Sequence, residues 1–429
     1  MITAGVQDWS PDRRGSRGSM TEHPADPPAD QRWNRRRLRS NNEWLLLERL
    51  RTAGPASRAQ LARDTGLSKP TVSAALAALE QVGLAREAGT VVPDRGRTAV
   101  LYEADPTAGY VLGVDIGRAW LRLAVADLAG TVVAREDVPN NGRSGSAVAE
   151  SVLAAAERVT AAAGLRRGDI VEAVVGAPGV FDERTGRVRY AVNLPGWGRS
   201  GLVAGMREGL GTSLTLHNDA NLAAIGEYAC GAGRDSRLFV YILIGTGLGM
   251  GVVADGELFR GAHGAAGEIG FLPLLTHPMP PAGPAPVQGA ALRGTLEDAV
   301  SGEAVVRGAR ELGMTGPQPL TAKRVFEAAR EGDPAAVAAV RQEGERLAHV
   351  VAAVSSVLDP DLVVLGGGVG HSADLLLQTV QDTLHLLTPL RPRVAPSELG
   401  DDAVLLGAIT TALRSARPKV FESHNADHT

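Results

Sequence analysis

In the stretch GLSKPTVSAAL, Lys69, Thr71 and Ser73 stand at the start of a run whose apolar residues recur every three or four positions. One cation and two hydroxyls so placed can reach phosphate oxygens or base edges of duplex DNA. Further on, Arg95 and Arg97 flank Gly96 in a turn-rich tip, where two more cations would meet a neighbouring groove or backbone. A different pair, Asn218–Asp219, opens NDANLAAIGE. An amide that both donates and accepts, beside a carboxylate that accepts twice, suits the gripping of hydroxyl groups. The same pair also suits a helix N-cap. Glycines mark two further places. Gly245, Thr246, Gly247, Gly249 and Gly251 lie in ILIGTGLGMGVV, and Gly367 lies in VLGGGVG. Such turns let a ligand approach the backbone, or serve turn packing alone.

The groups at 69–73 need a rigid presenter, and the surrounding residues supply one. Trp44, Leu47 and Leu50 recur at helical spacing until Gly54–Pro55 ends the run. Ser57 caps a short helix through Arg63, and Thr65–Gly66–Leu67 turns the chain. Ser68 then caps a third helix, with Pro70 in its first turn and Val72, Leu76 and Leu79 as its buried stripe. Ala62, Gly66 and Val72 have helix-turn-helix spacing: a small residue for close approach, a glycine for positive φ, and an apolar plug. The segment from Ala85 to Asp105 reads as two strands joined by the tip at 93–97. Together, 41–105 is expected to be an α+β winged helix-turn-helix. Such a unit binds DNA or, in a second reading, another protein.

Residues 1–40 are rich in Pro, Asp, Arg and Ser and are expected to be disordered, with RWNRRRLRS (32–40) as a basic arm. From Tyr110 onward, apolar strands alternate with helical stretches, which predicts α/β. Strands are expected at 110–115, 121–128, 131–136, 170–176, 214–219, 238–247 and 361–368. Helices are expected near 146–163, 220–229, 297–312, 321–330 and 334–358. Five prolines make 276–289 an irregular loop. The tail after Arg414 is expected to fray.

The chain has 429 residues, 44% of them hydrophobic and 21% charged, enough for one to three domains with real cores. No apolar run is long enough to span a membrane, and no secretory leader is read at the N-terminus. A single cysteine, Cys230, excludes a disulfide framework and a thiolate zinc cage. The expected location is a reducing cytoplasm. Residues 1–102 carry net charge +5 and the rest −9, which suggests an anionic partner for the N-terminal part.

Between Ser40 and about Leu413 these motifs resemble, in order, the ROK transcriptional regulators, a winged helix-turn-helix fused to a sugar-kinase-like body. The resemblance implies a two-lobed actin-like (ribonuclease H-like) α/β body. Lobe 1 would cover 106–222 with the C-terminal helix 400–415, lobe 2 would cover 223–399, and 416–429 would be the frayed tail. It also implies that Asn193, Asn218, Asp219, Glu268 and Glu297 contact a sugar. In the kinases of the family the residue matching Asp219 is the general base. In LGVDIGRAW, Asp115 and Gly117 match the family's first phosphate turn, but Arg118 and Ala119 replace a glycine and a threonine. Gly245, Thr246, Gly247 and Gly367 would face ATP if it bound. Phe271 in GEIGF stands where the family has a histidine that binds zinc and sugar, and Thr295 stands in place of its last cysteine. His263 and His277 cannot rebuild that site, so no zinc is expected. ATP and Mg²⁺ are not expected either.

The expected function is a sugar-responsive regulator, more readily a repressor than an activator. It would bind a palindromic operator as a homodimer or homotetramer. The alternatives are an ATP-dependent sugar kinase with an added DNA-binding head, and an architectural DNA-binding protein with a vestigial body.

Overall fold

A computed structural model of the chain describes residues 35–92, 98–182, 187–189, 196–199, 201–273, 294–316 and 319–426. The N-terminal head consists of α1 (Arg35–Ala53), β1 (Ala56–Ser57), α2 (Arg58–Thr65), α3 (Lys69–Gln81), β2 (Ala85–Val91) and β3 (Ala99–Ala104). Ser57 and Ser68 cap α2 and α3 by accepting from the backbone N–H of Gln60 and Thr71. Each cap satisfies one of the N–H groups that a helix start leaves orphaned. Gly66 makes the turn between them at φ 72°, a backbone region that glycine enters without strain. Val72, Leu76 and Leu79 are buried against Leu46, Leu50 and Leu61, as the apolar stripe requires. One boundary differs from expectation. Helix α1 already runs from Arg35, inside the segment expected to be disordered, and an i,i+4 ion pair between Arg39 and Glu43 supports its first turns. Residues 1–34 lie outside the described residues.

The body repeats one topology twice. Its first lobe contains β4 (Tyr110–Ile116), β5 (Trp120–Asp127), β6 (Val132–Pro139), α4 (Gly145–Ala162), β7 (Ile170–Ala177), β8 (Val180–Asp182), β9 (Arg187–Arg189), α5 (Leu202–Leu210) and β10 (Ser213–Asn218). Strands β4, β5 and β6 form an antiparallel meander, and β7 and β10 add in parallel to β4, giving the order β6-β5-β4-β7-β10. After α6 (Asp219–Cys230), the second lobe continues with β11 (Leu238–Ile244), β12 (Leu248–Ala254) and β13 (Glu257–Leu258). Next come α7 (Thr295–Ala299), α8 (Gly302–Glu311), α9 (Ala322–Arg330), α10 (Pro334–Leu358), β14 (Leu362–Gly366), α11 (Gly367–Gly370), α12 (Ala373–Leu387) and β15 (Arg393–Pro396). The order here is β13-β12-β11-β14-β15, with the same strand directions. Strand β14 is buried along its whole length, consistent with a strand covered on both faces.

Several details depart from the sequence reading. The helix expected at 297–312 is two helices, because the extended Ser301 accepts from Ala304 N–H and starts α8 anew. Helices α5 and α12 were not expected. The last element, α13 (Ala403–Ala426), does not fray after residue 415. Val420 and Phe421 are buried in the core of the head, and that burial carries the helix past its interior Pro418.

Helix α6 lies on β11 and β12, whereas α13 lies on β4 and β7, so the two helices meet between the lobes. They meet at glycines. A Cβ on Gly407 would stand 1.8 Å from Leu222 O, and one on Gly226 would stand 2.2 Å from Ala403 O. Gly407→Ala should therefore cost about 2 kcal/mol or more through overpacking. Gly205→Ala in α5, with open space around it, should be neutral or stabilising. Urea denaturation of both variants checks this, and equal effects would mean that α6 and α13 do not touch so closely.

Candidate functional site

Where the two lobes face each other lies a cleft of about 1550 Å³. One wall is the turn between β4 and β5, and the floor is the start of α6. The opposite wall consists of the Gly245–Leu248 turn, Glu268, Phe271 and the residues of α7 and α8.

The helix start defines the floor. Asn218, not Asp219, is the N-cap: its Oδ1 accepts from Asn221 N–H at 3.2 Å and its Nδ2 donates to Gly179 O at 3.2 Å. The capping role expected of the pair thus falls to the amide. Asp219 becomes the first helical residue, and its Oδ1 accepts from Ala220 N–H at 2.8 Å. Burial pushes the Asp219 carboxyl above the usual carboxylate range, and the Ala220 N–H opposes this. Across the cleft, Glu268 is pushed up to about 7, chiefly by burial and further by the charges of Asp219 and Glu297. Glu297 on α7 accepts from Leu248 N–H at 3.3 Å, which ties its carboxylate to the glycine turn. Four of the five residues expected at a sugar, Asn218, Asp219, Glu268 and Glu297, therefore line one cavity. Asn193 lies outside the described residues.

The glycine turns join the same cavity: Gly245, Thr246, Gly247 and Gly367 all line it. So does the turn expected to be altered. Asp115 ends β4 beside Arg122 of β5, whose Nη1 lies 3.2 Å from its Oδ2. Burial nevertheless pushes Asp115 up to about 7, with Arg122 pulling against it. Arg118 reaches across the cleft from the first lobe to Glu303 on α8, at 3.5 Å. At the matched zinc positions, Phe271 is 42% exposed in the cleft wall, and Thr295 donates to Leu272 O at 3.1 Å. His277 lies outside the described residues. Among the described residues no group of three or more His, Cys, Asp or Glu could hold a metal ion.

Three cleft residues went unnoticed in the sequence. Arg122 is a lone cation in the apolar strand LRLAVAD, and that oddity was the available signal. Asn221 is a buried amide whose Oδ1 has no hydrogen-bond partner among the described residues. Trp120 stands half-exposed beside Arg118. Just before the pair at 218–219, burial lowers His217 to about 4, helped by Arg260, whose Nη1 lies 3.3 Å from its Nδ1.

In the head, Lys69 and Ser73 are exposed at the start of α3. There the helix dipole adds to the lysine charge in favouring phosphate. Thr71 differs: its hydroxyl lies 2.8 Å from Ser68 Oγ, inside the capping arrangement. Arg95 and Arg97, at the tip between β2 and β3, lie outside the described residues. Arg58 stacks over the Tyr102 ring at 4.6 Å and so holds α2 against β3. Among the described residues no helix is long and apolar enough to cross a membrane.

Residues 111–415 match the ROK family, and residues 40–86 match the MarR family. The glucokinase of Halalkalibacterium halodurans is 32% identical over 70% of this chain and 93% of its own length. The xylose repressor of Caldicellulosiruptor bescii is 24% identical over 88% of this chain and 96% of its own. A solved ROK family glucokinase from Streptomyces griseus, in complex with glucose and AMPPNP, covers 71% of this chain and all of its own, at 28% identity and a TM-score of 0.61. A solved ROK family transcriptional regulator, a homologue of the E. coli MLC protein, shares the fold over 90% of this chain and 99% of its own, at 23% identity and a TM-score of 0.68.

The raised Glu268 carboxyl gives a pH signature. An acid whose pKa rises on folding, here from 4.5 to about 7, contributes stability below its unfolded pKa. That stability is lost as the pH climbs through 7. Glu268→Gln should therefore recover about 2 kcal/mol at pH 8 and little at pH 5. Thermal melts at both pH values check it, and equal gains would mean the carboxyl is not raised.

Proposed function

The chain belongs to the ROK family, and on that footing we propose that it is a sugar-responsive transcription regulator, acting as a repressor. The head binds operator DNA through α3 and the wing, and a sugar or sugar derivative binds in the cleft between the lobes. One observation carries this reading. A winged helix-turn-helix is built into the same chain as a cleft that brings Asn218, Asp219, Glu268 and Glu297 together. Hydroxyls would donate to the carboxylates, and the cap at Asn218 would hold Asp219 in place. The ligand changes operator affinity only by preferring one arrangement of the lobes over the other. Two-fold symmetric DNA calls for a homodimer, or a homotetramer made of two.

The body binds sugar without transferring phosphate. Support lies in the first turn, where Arg118 and Ala119 replace the family's glycine and threonine and the Arg118 side chain spans the cleft to Glu303. Arg122 also holds the Asp115 carboxylate. These residues do not fit Mg²⁺ with ATP. Nor do Phe271 and Thr295 fit a zinc ion, since neither side chain is a zinc ligand. The xylose repressor match covers 88% of this chain, more than the body could supply, whereas the glucokinase match covers 70%. A second reading, a sugar kinase with an added head, draws on the glucokinase likeness and on Asp219. Incubation with ATP, Mg²⁺ and a panel of sugars separates the two, and turnover at roughly 1 s⁻¹ or faster would establish the kinase.

Asp219→Ala should abolish the thermal shift produced by the sugar that stabilises the wild type, and leave ligand-free operator binding intact. A variant that unfolds would assign Asp219 to the helix start alone. Lys69→Ala should weaken operator binding and flatten its log–log salt slope by about one. An unchanged slope would place the phosphate contact elsewhere.

A further inference from the structure

The last helix runs from the cleft to the head. In the turn just before it, Asp401 lines the cleft between the lobes, 3.1 Å from Arg122 Nη2 of β5 and 3.5 Å from His371 Nε2, just after α11. One residue on, Asp402 pairs with Arg135 of β6 at 2.8 Å. Along its middle, α13 meets α6 through Gly407 and Gly226, and α6 is the helix that Asp219 opens. The face toward the first lobe is just as tight: a Cβ on Gly113 of β4 would stand 2.8 Å from Ile409 Cγ1.

The far end is held in two directions. Arg417 donates twice to Leu128 O, at 3.1 and 2.8 Å, and Lys419 donates to the buried Glu172 and, at 2.9 Å, to Ser213 Oγ. Those bonds belong to the first lobe. In the same turn Val420 and Phe421 enter the head's core, and the Phe421 ring meets the Trp44 ring edge-on at 5.1 Å. Burial lowers Arg417 to about 10, and Arg51 of α1 pushes it down further while Glu48 opposes this. Head and body therefore share one helical turn.

We infer that α13 is the relay between sugar and DNA: it carries movement of the cleft to the head, because Val404 in its first turn lines the cleft and Val420 and Phe421 near its far end are core to the head. A helix of 24 residues is about 36 Å long and stiff along its axis. A shift of α6 and the second lobe against the first is a shift against α13. Pro418 removes the hydrogen bond to Arg414 O and gives the rod one soft joint, placed between Arg417 and the residues that enter the head. The relay rests on the sugar-responsive reading above and names its route.

The test uses the full chain with D-glucose and D-xylose as probe sugars and a labelled duplex selected by the chain from random sequence. Thermal shift reads sugar binding, and fluorescence anisotropy reads DNA affinity with and without sugar. Arg417→Met and Phe421→Leu should keep the sugar-induced thermal shift. A sugar effect on DNA affinity of about tenfold in the wild type should fall below about twofold in both. Hydrogen exchange gives a second readout: sugar should change protection across 403–424 and in α1 of the wild type. The relay is overturned if both variants keep the full sugar effect, or if exchange in those segments is unmoved while DNA affinity changes. A wild type that binds sugar with no change in DNA affinity sinks the sugar-responsive reading, and the relay with it.

Discussion

Helices α6 and α13 touch backbone to backbone, and both lobes hang on that contact. Each helix lies on a different sheet, so the glycine crossing at 226 and 407 is also the seam between the lobes. Buried around it are small residues, Ala223 and Ala224 on one helix and Ala408 and Ala412 on the other, beside larger ones, Leu222, Ile225, Leu405 and Ile409. The close backbone approach at the two glycines, with these side chains packed around it, holds the lobes together. A sheet-on-sheet body without it would be two domains on a tether.

The cleft treats its acids in two ways. Asp115 and Asp401 share the Arg122 guanidinium, which pulls against the burial that raises Asp115. Asp219 and Glu268 are held up by burial and, for Glu268, by neighbouring acids. Keeping carboxyls there costs stability, and a fold that needed only a core would have filled the space with apolar side chains. Strain of this kind collects where a protein binds something. The capped start of α6 sets Asp219 on a helix, whereas Glu268 stands in the loop just before the short turn at 269–271.

Much of this was legible because the signals were local. Ala62, Gly66 and Val72 specify the head through backbone sterics within a dozen residues, and alternating apolar runs mark the strands of both lobes. The site residues were legible through their order along the chain, and the cleft gathers four of them. What escaped depended on distant partners. Nothing near Ser301 in sequence shows that a helix must restart there. The cap at Asn218 and the first-turn place of Asp219 differ by one residue, which composition cannot resolve. The tail was the largest miss. RSARPK contains a proline and three cations, and reads as an ending. Its order comes from Leu128, Glu172 and Trp44, which lie hundreds of residues upstream.

That arrangement has a consequence for how the protein is made. The head precedes the body along the chain, but Val420 and Phe421, which complete its core, follow the body. Until the body has been made, the reader of DNA is an unfinished domain with an apolar opening. A nascent or prematurely terminated chain is thus a poor competitor for the operator. Operator binding is thereby left to molecules translated past Phe421.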